Sequence, residues 1–183
     1  MRLLNEAADI APLDPRYLAK AGRIEMEAGN RTEGIGLLGR ALELDPGYLP
    51  AFATLAAMHM AEGDNAAAEK LYRDAADYAP RDPEAQAAHG LLLAIVKDWQ
   101  GSADRYRRAI ALRPDNAVYR YEYARALQRL GRHDEALAGL EKAGELDPLH
   151  AGIWMSRGDS LRELGRAQEA IAAYRRYLEL EEP

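Results

Sequence analysis

Bulky apolar, small and polar residues return to the same places along this chain every 34 residues. With position 1 set at Pro15, Leu49, Pro83, Ala117 and Ala151, position 8 reads Gly22, Ala56, Gly90, Ala124 and Gly158. Position 20 is also small (Gly34, Ala68, Ser102, Ala136, Ala170), and position 27 is Ala41, Ala75, Ala109, Ala143 and, departing from the rest, Tyr177. Large apolar residues hold position 24 (Leu38, Tyr72, Tyr106, Leu140, Tyr174) and position 30 (Leu44, Tyr78, Leu112, Leu146, Leu180). Small residues at three fixed points let two antiparallel helices approach closely, and bulky ones fill the grooves beside them. Each unit therefore predicts a pair of helices. Gly29, Gly63, Gly131 and Gly165 at position 15 end the first helix where a left-handed residue is needed, and Lys97 alone breaks that rule. Prolines at 12, 46, 80, 114 and 148 end the second helix. Asp14-Pro15 and Asp82-Pro83 offer an N-cap followed by proline in the first helical position.

A unit of this length cannot bury its apolar face alone, so the pattern predicts an array in which neighbours share one continuous core. Composition agrees: the 183 residues are 48% hydrophobic and 30% charged, rich in Ala, Leu, Glu and Arg, which favours helix throughout and leaves little for strands. There is no Cys, which excludes disulfides, thiol catalysis and Cys-ligated zinc. No apolar run approaches membrane-spanning length, and the start turns polar at Asn5 and Glu6, too soon for a signal-peptide core. A cytoplasmic location is expected. The abundance of Ala and Arg suggests a bacterial source.

Small residues at positions 8, 20 and 27, an aromatic or Leu at 24 and proline at 32 resemble the tetratricopeptide repeat, over nearly the whole chain. Trp154 stands where that family favours Trp, and Gly158, Leu161, Ala170 and Tyr174 follow in step. Unit one, with Glu25 at position 11, and unit three, with His89 at position 7 and Ser102 at position 20, fit less well and are expected to pack less well. The resemblance implies an all-α fold: a right-handed α-solenoid, or superhelix, of antiparallel helix-turn-helix repeats forming a single array over 1–183. The full repeats are expected at 15–48, 49–82, 83–116, 117–150 and 151–183. Residues 1–14 match only the second helix of a leading partial repeat, through Leu4, Ala7, Ile10 and Pro12. The last helix is expected to expose a stripe of Ile171, Tyr174, Tyr177 and Leu178. Open ends of this kind predict a segment of a longer protein, or head-to-tail pairing of copies.

Members of the family bind peptide segments of partner proteins on the concave side made by the first helices, and the resemblance implies the same role. Helix periodicity places positions 2, 5, 9, 12 and 13 on that side, with 6 at its margin. The candidate groove residues are Lys20 and Arg23 in unit one, Thr54, Ala57 and Met60 in unit two, and Leu91 and Ile95 in unit three. Unit four adds Tyr121, Arg125, Gln128 and Arg129, and unit five adds Met155, Asp159 and Arg162. The set predicts a ligand with an apolar centre, for which Met adapts its shape, and an acidic or polar flank. The clamp by which some members grip chaperone tails is missing, since its places read Ala19, Arg23, Thr54, Glu84 and Ala88. Nor is there a ladder of groove Asn: position 6 reads Lys20, Thr54, Ala88, Glu122 and Ser156.

Charge sharpens the picture. Residues 97–132 hold nine Lys or Arg against four acids, a local +5 in a chain of net charge −6. Within that stretch Arg125 and Arg129 are placed to grip a carboxylate or phosphate, whereas Arg105, Arg107 and Arg108 read as solvated outer-face residues. The acidic total argues against nucleic acid. Trp99 and Trp154 read as packing residues. No HExxH, Gly-rich phosphate loop, GxSxG or Asp-rich calcium loop occurs, so no catalytic residue, cofactor or metal ligand is assigned. His59 and His89 are the nearest approach to a metal pair, at positions that are normally core. The expected function is a non-catalytic protein-interaction scaffold. The alternatives are the docking or self-association module of a larger enzyme, such as a glycosyltransferase or sulfotransferase, and a purely architectural spacer.

Overall fold

A computed structural model of the chain describes residues 14–182. Ten helices run through them: α1 (Pro15–Glu27), α2 (Arg31–Leu44), α3 (Leu49–Ala61), α4 (Asn65–Tyr78), α5 (Pro83–Ile95), α6 (Trp99–Leu112), α7 (Ala117–Arg129), α8 (His133–Leu146), α9 (Ala151–Glu163) and α10 (Ala167–Glu181). Among the described residues there is no strand. The helix expected over 1–14 lies, but for Asp14, outside them. The chain forms two compact units, one ending at Pro80 and the other starting at Arg81. The first holds the hairpins α1–α2 and α3–α4, the second α5–α6, α7–α8 and α9–α10. No described helix is long and apolar enough to cross a membrane.

All five first helices end alike. The residue at position 15 turns left-handed, with φ of 87° at Gly29, 78° at Gly63, 65° at Lys97, 74° at Gly131 and 74° at Gly165. The next residue then donates its backbone N–H back to a carbonyl five residues earlier, as from Asn30 to Glu25 (2.8 Å) and from Asp98 to Leu93 (2.8 Å). Lys97 performs the glycine's task in a conformation that costs an L-residue about 1–2 kcal/mol. Glycine gives part of that back through its looser unfolded chain. Lys97→Gly is therefore expected to stabilise the second unit by roughly 0.5–1 kcal/mol, read as a rise in its urea midpoint; an unchanged or lower midpoint would show that the strain is absorbed elsewhere.

The N-termini are capped as the sequence indicated at Asp14 and Asp82, which accept from the N–H of Arg16 (2.9 Å) and Glu84 (3.0 Å). Asp64, Asp98 and Asn116 do the same for α4, α6 and α7.

In the first unit the core gathers Leu18, Ala19, Leu38, Ala41 and Ala51. In the second, Ala124, Leu127, Ala136, Leu140, Ala143 and Ile153 join α7, α8 and the start of α9, while Leu137, Leu161, Ala170 and Ala173 join α8 to α9 and α10. The expectation of looser packing in units one and three is overturned: α1–α2 and α5–α6 approach each other as closely as α9–α10, and more closely than α3–α4. The three tight hairpins are those with glycine at position 8, where no side chain holds the helices apart. A Cβ on Gly22 would stand 2.9 Å from the carbonyl oxygen of Gly34, and one on Gly90 3.1 Å from the Tyr106 ring. The polar residue that made unit one look weak is matched as well. Glu25 is buried and accepts a hydrogen bond from Asn30 Nδ2 at 2.7 Å.

Candidate peptide-binding site

The first helices of the hairpins, those expected on the inner side, are α1 and α3 in the first unit and α5, α7 and α9 in the second. Between α1 and α3 lies a hollow of about 580 Å3 with walls of Met26, Ala53, Ala57 and Met58, rimmed by Arg23, Glu27 and Glu62. The rim charges are spoken for: Arg23 pairs with Glu27 at 2.7 Å, and Glu62 pairs with Arg31. Thr54 turns its hydroxyl to the Pro50 carbonyl (2.9 Å). Of the residues expected here, Arg23, Thr54 and Ala57 line the hollow. Lys20 and Met60 do not: Lys20 projects into solvent, Met60 is half-buried away from it, and Met58, two residues earlier, takes its place.

The second unit has a hollow of different chemistry. About 500 Å3 between α7 and α9 is lined by Tyr121, Arg125, Gln128 and Arg129 on one side and Met155, Ser156, Asp159 and Arg162 on the other. Every candidate from units four and five is brought together there. Adjoining it, a smaller hollow of about 160 Å3 is walled by Leu91, Ala94, Ile95 and Trp99, and shares Arg125 and Arg129 with the larger one. Leu91 and Ile95 are each 50% exposed, so an apolar step lies directly beside a basic one.

The guanidinium groups differ in their company. Arg125 pairs with Glu122 at 3.1 Å and lies over the Tyr121 ring, 5.6 Å from its centroid. Arg162 reaches Glu163 at 3.0 Å and Asp159 at 3.6 Å, and the hydrogen bond to Glu163 raises its pKa further. Arg129 stands over Trp99, 5.6 Å from the ring centroid. Trp99, read from the sequence as packing, is thus half-buried with one face turned to the site. Trp154 is half-buried too: its Nε1 donates to the Pro148 carbonyl at 3.0 Å, Arg157 lies over its ring 5.6 Å from the centroid, and it lines a separate small hollow with Leu161 and Ala173.

Sequence reasoning missed one further contributor. His133 opens α8 and lines the larger hollow. Gly152 lets Tyr121 in: a Cβ there would lie 2.8 Å from the phenolic oxygen, which keeps the ring over His150 at 4.9 Å between centroids. Periodicity places Gly152, at position 2, on this side of α9; why it is glycine is explained only by its neighbour in space.

Tyr106 and Tyr174 are packing residues, as expected. Burial pushes both phenols above their usual pKa, and for Tyr174 the hydrogen bond to Asp159 (2.8 Å) adds to it. Of the expected stripe on α10, Ile171 and Leu178 are exposed, at 44% and 56%, while Tyr174 and Tyr177 are half-buried. Among the described residues no three potential metal ligands converge.

Comparison with known proteins places this geometry. Two family models described as tetratricopeptide repeat match the chain, one over residues 25–92 and the other over 96–148 and again over 121–182. The small glutamine-rich tetratricopeptide repeat-containing protein 2 of Mycosarcoma maydis is 32% identical over 94 residues, 51% of this chain and 27% of that protein. The chain spans less than a third of the length of the curated relatives it matches. Among solved structures, MamA superposes with a TM-score of 0.75 at 22% identity, covering 91% of both chains. YrrB, a TPR protein with an unusual peptide-binding site, also reaches 0.75, at 16% identity over 97% of this chain and 91% of its own. By its repeats, its helical hairpins and these likenesses, the chain belongs to the tetratricopeptide repeat family.

Proposed function

We propose that the chain is a non-catalytic scaffold that holds a segment of a partner protein against its inner helices, with an apolar centre and an acidic flank to the ligand. The observation that carries this reading is the hollow of about 500 Å3 between α7 and α9, where all seven candidates from two repeats converge on one open surface. A peptide laid there meets charge and hydrogen-bonding groups on rigid helices, with Leu91 and Ile95 as apolar surface beside them; the first unit's own hollow separately offers Met26 and Met58 as an adaptable apolar surface. Ordering a flexible peptide offsets much of the burial, so the affinity is expected on the order of micromolar, about 8 kcal/mol. YrrB's described peptide-binding site supports the same reading by analogy of fold.

The test begins with partners captured from the native cell and identified by mass spectrometry. Arg125→Glu combined with Arg129→Glu is expected to weaken a captured partner about tenfold or more, with helical circular dichroism unchanged because both side chains are exposed. Full binding by the double variant would reject the role given to this surface.

A further inference from the structure

Resting on that reading, we infer that the second unit recognises a peptide in which a single carboxylate side chain lies close to a bulky aliphatic or aromatic one, with Arg129, Trp99 and Gln128 as the discriminating residues. Among the described residues Arg129 has no acidic partner, whereas Arg125 and Arg162 beside it are paired within the protein. The Trp99 ring holds the Arg129 guanidinium by its face. Stacking of this kind fixes the group while leaving its N–H edges free, and those edges match a carboxylate with two parallel hydrogen bonds. The cation is therefore positioned in advance and uncompensated.

Gln128 supplies the second element. Its Nε2 donates to the Ser156 carbonyl oxygen at 2.7 Å and to Ser160 Oγ at 2.8 Å. A backbone carbonyl can only accept, so this contact fixes which end of the amide faces α9. Both N–H groups are thereby used, and what remains for a ligand is the acceptor Oε1. An acceptor next to a free cation suits a peptide, which brings its own backbone N–H alongside an acidic side chain. It does not suit the phosphodiester groups of a nucleic-acid backbone, which offer acceptors only. Glu122, Asp159 and Glu163 stand around the same surface and would repel a dianion, so one carboxylate fits where a phosphate group does not.

The third element is the step formed by Leu91 and Ile95, half exposed beside Arg129 and Trp99 in the same wall. Apolar surface adjoining the cation requires the ligand's apolar side chain to sit within about three residues of its carboxylate, given the reach of an extended chain.

A random dodecapeptide library displayed on phage, selected on the 183-residue chain, reads this out. Enriched peptides are expected to carry Asp or Glu within a few residues of Leu, Ile, Met or Phe. The leading sequence, made with blocked ends and a fluorescent label, is then titrated by anisotropy. Arg129→Ala, and separately Asp→Asn or Glu→Gln in the peptide, are each expected to lower affinity about tenfold, without adding when combined. Gln128→Leu is expected to lower it severalfold, with circular dichroism as the check on folding. Enriched peptides lacking an acid, or binding indifferent to Arg129→Ala, would overturn this inference, the former together with the acidic flank, while leaving intact the reading that the chain holds a segment of a partner protein. Selection that enriches no peptide would overturn both.

Discussion

Gly158→Ala is expected to destabilise the second unit by about 2–3 kcal/mol, although the same change in an unhindered helix would stabilise it by about 1 kcal/mol. The sign is decided by one side chain. A Cβ on Gly158 would lie 2.5 Å from Cδ1 and 2.8 Å from Cζ of Tyr174, well inside van der Waals contact. The ring is rigid, and its hydroxyl is tied to Asp159 at 2.8 Å, so it cannot yield by rotating its end. Either α9 and α10 move apart or the hydrogen bond breaks and the ring swings out. Urea unfolding followed by circular dichroism measures the cost. The double variant Gly158→Ala with Tyr174→Leu supplies the control, because Ala124 and Leu140 already occupy the corresponding places in α7–α8 and pack in one cluster. It is expected to recover much of the loss. A single Gly158→Ala as stable as the parent would show that α9–α10 opens freely, as in α3–α4, where Ala56 and Tyr72 hold those places and the helices stand less close.

Position 8 also shows how far the sequence could be read. That it must be small follows from five repeats laid under one another. Which repeats need glycine does not, because that depends on what stands opposite and on how near the helices come. The ends of the helices were legible for a simpler reason: proline and glycine act on their own backbone, so the helix starts at Pro15, Leu49, Pro83, Ala117 and Ala151 fall on position 1. Lys97 is instructive. The repeat around it was strong enough to impose a left-handed residue where the local preference opposes one. Glu25 looked like a defect because its partner, Asn30, lies across the turn at position 16, where the other units carry Asp64, Asp98, Arg132 and Arg166.

At the site, periodicity identified the face but not the neighbours. Every candidate on α7 and α9 reached the same hollow, since one helix face meets the next in register. The free state of Arg129, the paired state of Arg125 and the direction of the Gln128 amide depend on side chains of other helices, and no spacing encodes them. Met58 displaced Met60 for a related reason. Which of two nearby methionines reaches the hollow depends on the tilt of α3 against α1, which a count of residues cannot supply.

Leu140→Ala is expected to cost about 3–5 kcal/mol, toward the upper part of the range for buried leucine. Leu140 is fully buried, and three of its cluster neighbours, Ala124, Ala136 and Ala143, are too short to reach into the space it would vacate. Leu127 and Ile153 are its larger buried members, each held in the interface of α7, α8 and α9, and Tyr121 and Tyr123 pack against the cluster from its edge. The cavity therefore persists rather than collapsing, and that is the condition under which deletion costs most. Leu140→Met keeps the volume and is expected to cost less than about 1.5 kcal/mol. Hydrogen exchange should show protection falling in α7, α8 and α9 together, since one cluster joins them. The effect reaches the site as well: α7 carries Gln128 and Arg129, α9 carries Ser156 and Asp159, and the bond from Gln128 to Ser156 records their mutual placement. Peptide affinity should therefore drop in Leu140→Ala at temperatures where the chain is still folded, and hold in Leu140→Met. A loss of stability below about 1 kcal/mol would mean that the three helices close over the gap, and affinity should then stay at the parent's level.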